Sequence, residues 1–238
     1  MTAHETRSEP AIAENLAAVR ATIAEAARRS GRRAEDVRLI AVSKTKPLAD
    51  ILAAWRAGQQ DFGENRVQEA LGKMDQAPPE LRWHLIGHLQ SNKARLVPGR
   101  FAVVQSVDSE RLAQALARHA EAAGVRQPIM VQLNWSGEDT KSGVTDLDAL
   151  RVLVAAIAGL PALALTGLMT IPDPACSEAQ TRAHYAQVRA ALATLQREFA
   201  LGPDFRELSM GMSHDYAWAI EEGATVVRVG TAIFGARP

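Results

Sequence analysis

The sequence predicts an α/β protein folded as a single (β/α)₈ barrel with an extra N-terminal helix, on three observations. Eight short strand-like runs recur along the chain, helical patterns separate them, and the glycine-rich phosphate loops of open parallel sheets are absent. The runs fall at 38–43, 61–63, 83–86, 102–106, 129–133, 164–169, 207–210 and 225–229. Helix-like stretches such as 48–57, 110–123, 147–158, 179–199 and 216–222 lie between them, with Gly, Pro, Asp or Ser at most junctions. Ahead of the first strand, Ile12, Leu16, Val19 and Ile23 recur at helical spacing, so a helix is expected over about 11–30, stopped by Gly31. Eight units within about 200 residues suit a closed barrel better than an open sheet.

Composition narrows the function classes. The chain has 238 residues, with 27 basic and 27 acidic side chains and a formal net charge of zero. That balance removes the electrostatic case for a nucleic acid or an anionic membrane as partner and favours a small molecule. Residues 1–10 carry Glu5 and Glu9 and no apolar run, so they read as a flexible N-terminus rather than a targeting peptide. The longest apolar stretch, 152–165, is broken by Gly159 and Pro161 and is too short to span a bilayer. One domain over 11–238 and a cytoplasmic location are expected. The single cysteine, Cys176, lies among Pro and Ser and reads as a loop thiol.

In such a barrel the chemistry belongs at the C-terminal ends of the strands. Alternation puts Ile40, Val42 and Lys44 on one side of the first strand, so Lys44 continues a buried apolar row. Desolvation of its ammonium favours a nucleophilic amine able to condense with an aldehyde. A lysine snorkelling from a strand end is the structural alternative, and Lys46, beside Pro47, reads as a solvated loop lysine. At the other end of the chain, Ser213, Gly230 and Thr231 stand in small-residue turns that open helices. Hydroxyls and amides placed there favour a phosphate dianion. Val226, Arg228 and Gly230 share one side of the last strand, which closure makes the neighbour of the first. An inward Arg228 needs an acceptor, either a pyridine nitrogen or a carboxylate inside the barrel. Asn65, after the second strand, offers an amide that can bond a phenolate oxygen without adding charge.

Other patterns carry less. His84 and His88 are four apart but flank a strand end, where that spacing does not bring them to one face, so no metal site is expected. The polar segment 135–143 is a flap or an exposed loop.

Ordered blocks then identify a family. They are Ala41-Val42-Ser43-Lys44-Thr45-Lys46-Pro47, Phe62-Gly63-Glu64-Asn65, the run from Trp83 to Lys93, Lys141-Ser142-Gly143, Gly167-Leu168-Met169, the run from Leu208 to Ser213, and the run from Val227 to Gly235. Together they resemble the pyridoxal phosphate homeostasis protein family over nearly the whole chain. The resemblance implies a barrel like the N-terminal domain of alanine racemase and pyridoxal 5′-phosphate as cofactor, held as a Schiff base at Lys44. It further implies Arg228 facing the pyridine nitrogen, Ser213, Gly230 and Thr231 as the phosphate cradle, and Met212 and Asn65 near the cofactor. His84 carries over only as a ring neighbour to be tested. His214 departs from the acidic or small residue common at its position, which implies either a pH-dependent charge near the phosphate or a solvent-facing side chain. The implied role is to bind, buffer and deliver the cofactor without catalytic turnover, as a monomer, with transient contact with PLP-dependent apo-enzymes. The alternative is an amino-acid racemase, which needs an opposing acid–base group. The two tyrosines, Tyr185 and Tyr216, both fall on predicted helices outside the barrel.

Overall fold

The structure is a computed structural model that describes residues 8–135 and 142–236. The chain opens with helix α1 (Glu9–Arg29) and then alternates β1 (Arg38–Val42), α2 (Leu48–Arg56), β2 (Asp61–Glu64), α3 (Val67–Met74) and β3 (Arg82–Leu85). A 3₁₀ segment, Ser91–Leu96, crosses to β4 (Val103–Val107), followed by α4 (Glu110–Ala122), β5 (Gln127–Leu133), α5 (Leu147–Ala158), β6 (Leu163–Thr170) and α6 (Glu178–Glu198). The chain ends with β7 (Glu207–Ser209), α7 (Tyr216–Glu221), β8 (Val226–Val229) and α8 (Thr231–Phe234). All neighbouring strands are parallel, and β8 returns to β1 with Ile40 level with Arg228 and Ala41 level with Val229. The eight strands therefore form a closed barrel with no free edge, as the alternating pattern predicts.

The alternation of each strand sorts its side chains into two cores. Outward residues such as Leu39, Ala41, Phe62, Trp83, Val104, Leu168, Val227 and Val229 join the apolar layer beneath the helices. Inward residues Ile40, Val103, Met130, Met169 and Val226 form a smaller cluster inside the barrel. Helix α1 buries Ile12, Leu16, Val19 and Ile23, its predicted stripe, against α2, α7 and α8. Each such side chain contributes about 2 kcal/mol of transfer free energy. Polar staples hold the helix in place: Asn15 Nδ2 donates to the Ile233 carbonyl at 2.9 Å and Arg32 Nη1 to the Ala224 carbonyl at 2.8 Å.

Two differences from the sequence reading concern short elements. Helix α3 buries only Val67 and Ala70, too little apolar periodicity to be read, and the helix expected to open at Thr231 is α8, of only four residues. Of the 1–10 segment, residues 1–7 lie outside the described residues, and Glu9 and Pro10 already belong to α1. Among the described residues no helix is long and apolar enough to cross a membrane.

Candidate functional site

Lys44 sits in the turn just past β1, half-buried. Both peptide groups that flank it are pinned. The Ser43 carbonyl accepts from Lys73 Nζ at 2.9 Å, and the Thr45 N–H donates to Glu69 Oε1 at 2.7 Å. Lys73 Nζ also donates to Glu64 Oε1 at 2.7 Å and Glu69 Oε1 at 2.8 Å, while Ser43 Oγ donates to Glu64 Oε1 at 2.6 Å. Glu64 is fully buried, and burial pushes its carboxyl above the usual range despite the bonds from Lys73 and Ser43. The clamp holds Thr45 at a left-handed φ of 65°, a conformation that costs a non-glycine residue about 1 kcal/mol. The sequence reading named none of Glu64, Glu69 and Lys73 as site residues. The usable signals were Glu64 inside a quoted block and the Glu69/Lys73 pair at helical i,i+4 spacing.

Lys46 corrects its expectation. It is not a solvated loop lysine: its Nζ donates to the carbonyls of Phe234 and Ala236, each at 3.1 Å, at the C-terminal end of α8. The cation there favours the negative end of the helix and seals the seam between β1 and the end of the chain.

Across that seam the β7 and β8 ends meet. Ser213 Oγ accepts from the backbone N–H groups of Gly230 at 3.2 Å and Ala232 at 3.4 Å. A Cβ on Gly230 would stand 3.2 Å from Val42 Cβ, so glycine lets the β8 exit lie against β1, two residues before Lys44. Thr231 is exposed, and Met212 and Ser213 are half-buried. The turn carrying them is braced by the buried Asp215, which accepts from the Met212 N–H with one oxygen and from the Tyr185 hydroxyl, at 2.9 Å, with the other. Burial and then Asp215 push the Tyr185 phenol well above its usual range, so it stays a neutral donor. The His214 side chain is 55% exposed, with Nε2 3.4 Å from Asp215 Oδ2.

Arg228 points into the barrel and is buried. Its Nη1 donates to Ser209 Oγ at 2.7 Å and its Nη2 to the Thr170 carbonyl at 2.8 Å. The sequence alternative of a carboxylate partner is not what the fold supplies; the acceptors are neutral. Burial pulls the guanidinium down to about 10, which leaves it charged at neutral pH. Behind Ser209 lie Gln105 and His84, both buried, and His84 Nε2 reaches Asp61 Oδ1 at 2.8 Å. His84 is thus an interior side chain held toward the start of β2. Burial pulls its imidazole below the usual range, with Asp61 opposing.

Asn65, just past β2, borders a mouth cavity of about 280 Å³ shared with Gly87, His88, Gln132 and Ser142. A Cβ on Gly87 would stand 2.4 Å from the Asn65 carbonyl oxygen, so the glycine is what lets the β3 exit pass Asn65. His88 bonds Ser142 Oγ at 3.0 Å, facing away from the environment of His84. Among the described residues no group of three or more His, Cys, Asp or Glu is arranged for a metal. Most of the 135–143 segment, including Lys141, lies outside the described residues. Cys176 is half-buried in the loop between β6 and α6.

Comparison with known proteins agrees with this fold. The family model for the alanine racemase N-terminal domain matches residues 14–238. A pyridoxal phosphate homeostasis protein of Pseudomonas aeruginosa is 48% identical over 227 residues, covering 95% of this chain and 96% of that protein. One from Escherichia coli K12 is 44% identical over 230 residues, covering 95% and 97%. Among solved structures, PipY of Synechococcus elongatus PCC7942 with PLP bound superimposes with a TM-score of 0.82 at 41% identity, covering 94% of this chain and all of that one. An alanine racemase of Clostridium difficile 630 reaches a TM-score of 0.74 at 16% identity and shares the fold, with 57% of its length covered.

Proposed function

Since the chain belongs to the pyridoxal phosphate homeostasis protein family, on the alanine racemase N-terminal-domain fold, we propose that it binds pyridoxal 5′-phosphate covalently at Lys44. It then buffers and delivers the cofactor without catalytic turnover. The observation that carries this reading is the seam between β1 and β8. It brings the strand that leads into the doubly pinned Lys44 turn against the β8 exit, where two backbone N–H groups converge on the Ser213 hydroxyl.

The donor set fits the group. Ser213 Oγ and the amides of Gly230 and Ala232 would hold the phosphate, with Thr231 at the start of α8 beside them. Arg228, which keeps its proton, would donate to the pyridine nitrogen and leave that nitrogen unprotonated. Asn65 and Met212 would flank the ring. When bound, the cofactor supplies a reactive aldehyde and an electron sink, the latter weakened by a donor that does not protonate the ring. Lys44 Nζ would be the amine that holds the aldehyde, and the clamp through Lys73, Glu64 and Glu69 holds its backbone in place.

Absence of turnover is supported by the fate of the tyrosines. Tyr185 is fully buried on α6 with its hydroxyl committed to Asp215, and Tyr216 is buried on α7. Neither is placed as an acid–base partner for a substrate at the mouth. Residues 11–238 act as one cofactor-binding domain, a cytoplasmic monomer that meets PLP-dependent apo-enzymes transiently. The test is a transfer assay: protein loaded with pyridoxal 5′-phosphate should activate an apo-enzyme faster than free cofactor at matched concentration. Equal activation would argue against delivery, and α-proton exchange over an amino-acid panel well above free cofactor would overturn the non-catalytic reading.

A further inference from the structure

The barrel interior contains a hydrogen-bonded chain that the cofactor reading does not use. Arg228 Nη1 donates to Ser209 Oγ at 2.7 Å, and Ser209 Oγ donates to Gln105 Oε1 at 2.7 Å. Gln105 Nε2 lies 3.3 Å from His84 Nδ1, and His84 Nε2 lies 2.8 Å from Asp61 Oδ1. Asp61 is bound at the barrel floor by Arg82, through Nε at 3.0 Å and Nη2 at 2.6 Å, and the Arg82 side chain is 53% exposed. The chain thus runs from a solvent-facing ion pair at the strand starts to the guanidinium below the mouth, and its links at residues 84, 105 and 209 are buried.

Its ends dictate its direction. Arg228 can only donate, so Ser209 must accept from it and spend its one proton on the next group. At the other end, Asp61 is an acceptor: burial raises its carboxyl, but the bonds from His84 and Arg82 outweigh this and hold it below the usual range. His84 therefore donates through Nε2, and a neutral imidazole must accept through Nδ1. Gln105 meets both demands in one orientation, oxygen to Ser209 and amide N–H to His84. Both ends impose the same orientation on every link. A proton on Nδ1 of His84 would set donor against donor at Gln105. The amide would then turn over, and Ser209 would face two donors with its own proton unplaced.

We propose that this one-way relay, Arg228 to Ser209 to Gln105 to His84 to Asp61, sets the position of the Arg228 guanidinium, and that His84 acts as a positioning residue by its Nε2–H tautomer. The relay rests on the cofactor reading for its consequence at the mouth, where Arg228 is the donor to the ring. The polarity itself is a property of the protein alone. Burial of every link makes the relay stiff, because a buried unpaired donor or acceptor is costly.

The experiment has two arms. Imidazole ¹⁵N NMR of the wild-type protein without added cofactor should show His84 as a neutral Nε2–H tautomer; an Nδ1–H tautomer or a rapidly exchanging mixture overturns the polarity. The second arm measures affinity for pyridoxal 5′-phosphate and the visible absorption band of the bound form. Gln105→Glu keeps the acceptor toward Ser209 but offers no N–H to His84. It should add a proton at Nδ1, leaving an imidazolium between two carboxylates, displace the band and weaken affinity about 10-fold. His84→Gln, whose amide accepts from Gln105 and donates to Asp61, should keep the wild-type band and stay within about 2-fold in affinity. Binding and band unchanged in Gln105→Glu, or lost equally in His84→Gln, overturn the relay. If Gln105→Glu fails to fold, the wild-type tautomer and the His84→Gln rescue still decide. A wild-type protein that takes up no cofactor fails the cofactor reading itself, a result distinct from variants that bind as well as wild type.

Discussion

At the scale of single residues, the two lysines that stand two residues apart do different work. Lys44 stands half-buried on a pinned turn at the barrel mouth, and Lys46 donates to the carbonyls of Phe234 and Ala236. Borohydride reduction of the loaded protein should fix label on the peptide at Lys44, and Lys44→Ala should abolish it. Lys46→Ala should keep the label and lose about 1 kcal/mol of stability, the worth of the lost bonds, read by denaturant unfolding. Label on Lys46 would sink the assignment. The contrast was half legible: alternation along the first strand put Lys44 on the inner side, but only the fold brought the end of the chain under Lys46.

At the scale of elements, the β1 exit depends on α3, a helix the sequence did not announce. Lys73 joins the Ser43 carbonyl to Glu64 and Glu69 from a position only 12% exposed. Lys73→Met would leave the Glu64 carboxyl buried without its cation, which should cost about 3 kcal/mol in unfolding experiments. It should also slow or weaken cofactor uptake, because the Lys44 turn loses one of its two pins. The β3 exit offers a second test. Gly87→Ala would drive a methyl to 2.4 Å from the Asn65 carbonyl oxygen. The resulting shift should cost roughly 2 kcal/mol and lower cofactor affinity if Asn65 contacts the ring. A variant with wild-type stability and affinity would show that the β3 exit is not a fixed part of the mouth.

At the scale of the whole molecule, stability should depend on pH in a direction set by buried histidines. Burial lowers the imidazoles of His84, fully buried, and His184, half-buried against Thr170, below the usual histidine range near 6.5. A lowered folded pKa means that the unfolded chain binds more protons in this range. The stabilisation is therefore fully present above about 6.5 and is lost as pH falls below it toward the folded values. Asp61, also lowered, extends the loss at more acid pH, while Glu64, raised by burial, opposes it above its own ordinary range. Denaturant midpoints measured from about pH 8 down to about pH 5 should fall, and the His84→Gln variant should show a shallower slope. A midpoint that rises on acidification would contradict neutral, buried histidines. The barrel itself has no edge strand to protect, so the acid response is expected to come from these interior groups rather than from fraying of the sheet.

The periodic part of the fold is legible in the sequence. Each strand-to-helix switch is a local change in apolar spacing, so the eight strands, the closed parallel order and the inward rows ending in Lys44 and Gly230 could be read from neighbours a few residues apart. Ordered blocks along the chain added the family. Pairing between distant residues emerges only on folding: Lys73 on Ser43, Ser213 on the amides of Gly230 and Ala232, and the line of Gln105 and His84 from Asp61 to Arg228. Those contacts join positions far apart in sequence, on different strands, turns and helices. Spacing along a chain carries no record of which residues closure will bring level.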